Sequence, residues 1–163
     1  MKTIRKVNVC RPVAAMILTA ALAATALAEH QVPFKGGLQG EDTDIASTSS
    51  SVTVLTVGTG IATHLGRFSF TQTVTVHFAT GTSTGTAQFF AANGDSISTT
   101  VSGSGKAIQP GLFDIQDVHT IIGGTGRFAG AEGSFTVKRV ASGVTFLTSG
   151  SFDGSITPAS AAH

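Results

Sequence analysis

The chain has no tryptophan, no tyrosine, one cysteine and four prolines, and only 12% of its 163 residues are charged. Each shortage excludes something. A lone thiol, Cys10, cannot form an intrachain disulfide, so no disulfide framework holds the fold. Without tyrosine no phenolic hydroxyl can serve as an acid or a hydrogen-bond donor in a cavity. The internal histidines, His64, His77 and His119, stand 13 and 42 residues apart with no cysteine to assist. Zinc ligands come in short-spaced pairs, so no metal site is expected, and no cofactor site either. What the chain has instead is 20 glycines, 11 phenylalanines and many Val and Thr.

Its first residues read as an address. Lys2, Arg5, Lys6 and Arg11 make a basic lead, Val13 to Ala28 an apolar run, and Ala26-Leu27-Ala28 a small-residue site before Glu29. This three-part pattern is that of a cleaved secretory signal peptide. The run is shorter than the roughly 20 residues a spanning helix needs. Residues 1–28 are therefore expected to be removed, leaving no stable membrane span and an exported protein, periplasmic or secreted. Cleavage takes four of ten basic residues and none of nine acidic ones, so six against nine leave a net charge of −3 on residues 29–163. Such a domain has no basic footprint for nucleic acid.

From Arg67 to Phe78 the chain alternates. Phe68, Phe70, Val74, Val76 and Phe78 share one face, with Gln72 as the polar intruder, and Arg67, Ser69, Thr71, Thr73, Thr75 and His77 share the other. Period-2 alternation of this length predicts a strand with one buried face. Other strands are predicted at Phe34–Gln39, at Ser51–Val57 (ended by Gly58-Thr59-Gly60) and at Leu112–Ile122. Thr82–Ala91 and Asp95–Ser102 form a hairpin through Asn93-Gly94, two residues that accept positive φ. Ser134–Ala141 and Val144–Ile156 form a closing hairpin. Glu41-Asp42-Thr43-Asp44 is expected to turn into solvent. Ser102–Gly111, rich in Gly and Ser and holding Pro110, is expected to be a loop. No segment shows a helical period. Seven or eight short strands punctuated by turns predict an all-β domain over 29–163, a sandwich or a closed barrel. The long alternating strand favours a single antiparallel barrel, because closure removes exposed edges.

Gly123, Gly124, Gly126, Gly130 and Gly133 form a shaped corner between two β-rich runs, at which Gly124 or Gly126 is expected to need positive φ. No Lys-Ser/Thr follows it, and a strand rather than a helix comes next, so it is not a phosphate loop. Gly123-Gly124-Thr125-Gly126-Arg127-Phe128 with Gly130-Ala131-Glu132-Gly133 resembles the GGTGxF…GAxG signature of the allene oxide cyclase-like barrels, and dirigent proteins share a similar corner. Gly58-Thr59-Gly60-Ile61-Ala62-Thr63-His64-Leu65-Gly66-Arg67-Phe68 looks like a second block found in bacterial exported members. The resemblance covers about Pro33 to Thr157. It implies an eight-stranded antiparallel barrel with a cavity, and a homo-oligomer, since the plant relatives are trimers. It does not carry the plant chemistry, which uses cavity tyrosines that this chain lacks.

Five residues are candidates for chemistry. His64, in a Gly-bounded turn, either fixes that turn by hydrogen bonds or acts as an acid, base or ligand contact at the barrel mouth. Asp117 and His119 share one strand face, either as a surface pair or as an orienter–base dyad without an identifiable nucleophile. That strand's two faces are both mixed, so its inward face is open. Arg127 and Glu132 flank the corner, either as an ion pair or with Arg127 as an anion contact for a fatty-acid carboxylate. The leading functional reading is a non-catalytic exported barrel, which binds a small apolar molecule or serves as an interaction module. The alternative is a cyclase or isomerase acting on a lipid-like substrate in the cavity. If the address is read correctly, exported protein begins at Glu29. An intact mass that retains Met1 to Ala28 would overturn it.

Overall fold

The computed structural model describes residues 31–157; residues 1–28, expected to be a signal peptide, lie outside them. Eight strands run in chain order: β1 (Val32–Ser47), β2 (Ser51–Ala62), β3 (Gly66–His77), β4 (Thr82–Ala91), β5 (Ser96–Gln109), β6 (Leu112–Gly124), β7 (Glu132–Ser142) and β8 (Leu147–Thr157). Each pairs antiparallel with the next, and β8 pairs with β1, closing the barrel. A single turn of 3-10 helix, Gly126–Phe128, sits in the β6–β7 connection.

Three segments differ from the sequence expectation. The acidic run does not turn, because β1 continues through it and pairs Asp42 with Thr56 on β2, although Glu41, Thr43 and Asp44 do face solvent. Strand β2 does not stop at Gly58-Thr59-Gly60. Those glycines face inward, and a side chain on Gly58 or Gly60 would meet the rings of Phe70 and Phe68. The Gly/Ser-rich stretch after Ser102 is not a loop but the second half of β5, paired with β6 as far as Leu112. Composition misleads in the two glycine-rich places, because Gly58 and Gly60 make room for the rings of Phe70 and Phe68 on the neighbouring strand, and Gly103 for the Asp117 carboxylate, without breaking the strand.

The barrel interior has two halves. Toward the end where β1 starts, Phe34, Phe68, Phe70, Phe89, Phe135 and Phe152 pack together, with ring centroids 5.0–6.2 Å apart in mostly edge-on or tilted pairs. Ile97 and Ile156 are fully buried among them. Three connections cap this end: β2–β3, β4–β5 and β6–β7. They tuck Leu65, Phe128 and Ala131 inside. The corner behaves as expected at Gly126, which has φ +57, while the carboxylate of Asp95 fills the place of its missing side chain. Gly124 has no positive φ; it is tight because Phe128 and the Ser96 carbonyl lie against it. At the other end, reached by the four remaining connections, the barrel is open.

Three β-bulges interrupt the pairing, and each leaves an isoleucine unpaired: Ile45 in β1, Ile108 in β5 and Ile122 in β6. All three are exposed. Because the two faces of β3 do different jobs, Phe70→Ala should cost about 3–5 kcal/mol as a core truncation, and Thr71→Ala no more than about 0.5 kcal/mol. Equal losses in chemical denaturation would show that the outer face is packed as well.

Candidate functional site

The open half of the barrel holds a cavity of about 460 Å³. Its walls are apolar, with Val52 and Val54 from β2, Val74 and Val76 from β3, Ile115 from β6 and Ala141 from β7. Phe78, Phe113 and Phe146 stand around the mouth. Two broader depressions lie on the outer wall near Gln39, Thr59 and Ser149, where no surrounding strands enclose them.

The floor is charged. Arg139 on β7 donates from Nε to Asp117 Oδ2 (3.2 Å), and from Nη1 to Asp42 Oδ2 (3.4 Å) and Thr148 Oγ1 (3.0 Å). Thr56 donates to Asp42 Oδ1 at 2.6 Å, and Gln72 Nε2 donates to Asp117 Oδ2 at 3.3 Å. Six strands thus meet on one guanidinium and two carboxylates. The Arg139 and Asp117 side chains are 6% and 1% exposed. Burying such charges is tolerable only with this density of partners. One oxygen, Asp117 Oδ1, has no hydrogen-bond partner. It lies where a side chain on Gly103 would go, with Ser83 Oγ beside it.

His119 sits one layer deeper. Its ring stacks on Phe135 at 4.7 Å and meets Phe89 edge-on, its Nδ1 is 3.0 Å from Thr99 Oγ1, and its Nε2 has no partner. Burial pushes its pKa from the ordinary 6.5 down to about 4; the Asp117 charge opposes this and the Arg139 charge adds to it. The imidazole is neutral at pH 7.

The structure therefore resolves the open question on β6: Asp117 and His119 face inward and are fully buried, so they are not a surface pair. They do not hydrogen-bond to each other, since Asp117 is held by Arg139 and Gln72 and His119 by Thr99. The other candidates lie at the closed end, away from the cavity. His64 is exposed in the β2–β3 turn with φ +63. Glu132 is exposed at the start of β7 and is not the partner of Arg127. That partner is Asp95, at 3.5 Å, while Arg127 Nη2 donates to the Leu65 carbonyl at 3.3 Å. Arg127 thus ties together all three closed-end connections. It can do so because Asp95 is carried there by the Asn93-Gly94 turn.

Sequence reasoning missed Asp42 and Arg139. Two signals could have found the floor: Gln72 breaks the apolar face of β3, and Arg139 breaks the Phe135, Val137, Ala141 face of β7. Polar residues interrupting buried faces of neighbouring strands point at one another across a barrel. Among the described residues no group of three His, Cys, Asp or Glu is placed to hold a metal ion, and no helix is long and apolar enough to cross a membrane.

The fold is a dirigent-type barrel, eight antiparallel strands closed on themselves. The solved structure of a pterocarpan synthase dirigent protein is similar to it, with a TM-score of 0.61 and 13% sequence identity over 87% of this chain and 98% of that one. No protein-family model and no curated protein matches the sequence.

The depressed pKa of His119 has a consequence for stability. The unfolded chain takes up a proton near pH 6.5 and the folded one only near pH 4. The stability this difference contributes is whole above about pH 6.5 and is lost as pH falls toward 4. Between pH 7 and 4.5 the wild type should lose about 2–3 kcal/mol through this group, and His119→Gln should lack that part of the slope. Parallel pH profiles in urea titrations would sink the assignment.

Proposed function

We propose that this protein is an exported, non-catalytic barrel that holds a small, mostly apolar molecule in the cavity at its open end. One observation carries the reading. Half of the interior is filled by six phenylalanines, while the other half, built from the same strands, is walled by valines and left hollow. Small barrels are either packed solid or hold one ligand, and this one does each in turn. The charged floor then offers a few fixed polar contacts beneath an apolar wall, the usual make-up of a small-molecule site. Export rests on the N-terminal pattern of residues 1–28. Kinship with the allene oxide cyclase-like barrels rests on the Gly123–Gly133 corner.

A cyclase or isomerase acting on a lipid-like substrate is the second reading, favoured by the buried carboxylate oxygen of Asp117 that no residue satisfies. Asp117 lies beneath Arg139 and does not itself line the cavity, so a substrate would feel its charge through Arg139. His119 lies behind it, neutral at pH 7.

The neutral dye N-phenyl-1-naphthylamine tests the ligand reading. It should bind in a one-to-one ratio with enhanced fluorescence. Val76→Trp, which fills the cavity from its wall, should abolish binding without lowering the melting temperature. Folded wild type that takes up no dye, or a filled variant that binds it as before, would overturn the proposal.

A further inference from the structure

We propose that the open end of the barrel docks on the surface of a neutral lipid bilayer, so that the cavity faces the lipid. This goes beyond the ligand reading and uses it only in that the cavity opens through the same end.

Four connections form that end: residues 48–50, 78–81, 110–111 and 143–146. None of them contains a charged residue. Each nevertheless carries, or is flanked by, a large exposed apolar side chain. Ile45 is 53% exposed, Phe78 54%, Ile108 47%, Phe113 40%, Val144 74% and Phe146 44%. The three connections at the closed end show the opposite pattern. Their large apolar residues, Leu65 and Phe128, are buried, and they carry His64, Asp95 and Arg127. The open-end connections are thus apolar and uncharged and the closed-end ones charged, although the adjoining strands carry exposed acids at the open end (Asp44, Asp114) and exposed apolar residues at the closed end (Ile61, Phe90, Ile122).

Two of the three bulges strengthen the case. Ile45 and Ile108 are the extra, unpaired residues at the open ends of β1 and β5. Bulges re-aim side chains, and here they add two apolar residues to the rim at positions that no strand partner needs.

The absence of charge from the connections, and of unpaired basic charge beside them, selects the partner. A protein surface presents polar and charged groups, and an anionic membrane is met with Lys and Arg. This rim has neither. Lys106, on β5, is paired with Asp114, and Arg139 in the cavity floor is held by Asp42 and Asp117. Apolar side chains on or beside the four connections, with acids (Asp44, Asp114) but no unpaired Lys or Arg among them, suit the headgroup–acyl boundary of zwitterionic lipid better than an anionic surface. Phe78, Phe113 and Phe146 line both the rim and the cavity mouth, so an apolar molecule can pass from bilayer to cavity without crossing water. Both ends of the described chain, Val32 and Thr157, leave from the closed end and do not obstruct this one.

Flotation with phosphatidylcholine vesicles tests the inference on the purified protein. Wild type should float with the vesicles, and added salt should not release it. The triple variant Ile45→Ser, Ile108→Ser, Val144→Ser touches no cavity-lining residue. It should bind vesicles more than about tenfold more weakly, yet take up the naphthylamine dye as before. Val57→Ser with Ile61→Ser, on the outer wall, should behave as wild type. Should the triple variant fold poorly, Val144→Trp gives the chain a single tryptophan. Brominated phosphatidylcholine should quench it and should leave a tryptophan at Thr59→Trp unquenched. The proposal is overturned by wild type that stays in solution, by binding to anionic vesicles alone, by equal loss in the outer-wall variant, or by equal quenching at both positions. Loss of dye uptake with vesicle binding intact would instead remove the ligand reading and leave this one standing.

Discussion

Arg139, held between Asp42 and Asp117, is the interaction on which the rest of the interior depends. A guanidinium inside a barrel is a liability unless its donors are used, and here carboxylates from β1 and β6 and a threonine from β8 use them. Removing one member of such a group leaves the others charged and unpaired, which typically costs about 3–5 kcal/mol. The cluster also marks a boundary. On its closed-end side the barrel is filled by rings; on its open side the wall residues are valines too short to reach across. Polar groups that must be bonded laterally, from strand to strand, cannot also rise to fill the volume above them.

The fold was legible where side-chain period and turn chemistry agree. Arg67–Phe78 alternates with Gln72 as its one polar interruption, and Asn93-Gly94 calls for a tight hairpin, so both elements stand where the sequence puts them, except that Phe78 lies exposed just past the end of β3. It was illegible where glycine serves as space. Gly58, Gly60 and Gly103 read as breakers, but they are the hollows into which Phe70, Phe68 and Asp117 fit. Their meaning depends on residues eight or more positions away, which local composition does not encode.

The site was half legible for a related reason. Asp117 and His119 stood out because they are two apart on one strand. Asp42 looked like one of several surface acids, because nothing near it in the chain announces Arg139. Arg127 shows the same limit in reverse. Its neighbour along the corner is Glu132, but its partner in space is Asp95, delivered by a different hairpin. Pairings within a strand or turn can be read from sequence, whereas pairings across the barrel need the register of every strand between them.

Closure of the barrel between β1 and β8 also governs how the chain can fold. Val32 pairs with Ile156, so the last seam joins the two ends of the domain. The other seams join neighbours through short connections and can form early. This one must bring together segments separated by the whole domain, and its loop-closure entropy is offset only when the entire sheet has curled. Until then β1 and β8 are both open edges, carrying glycines that resist pairing errors poorly. The uncurled state is therefore the one in which pairing with another chain competes with closure.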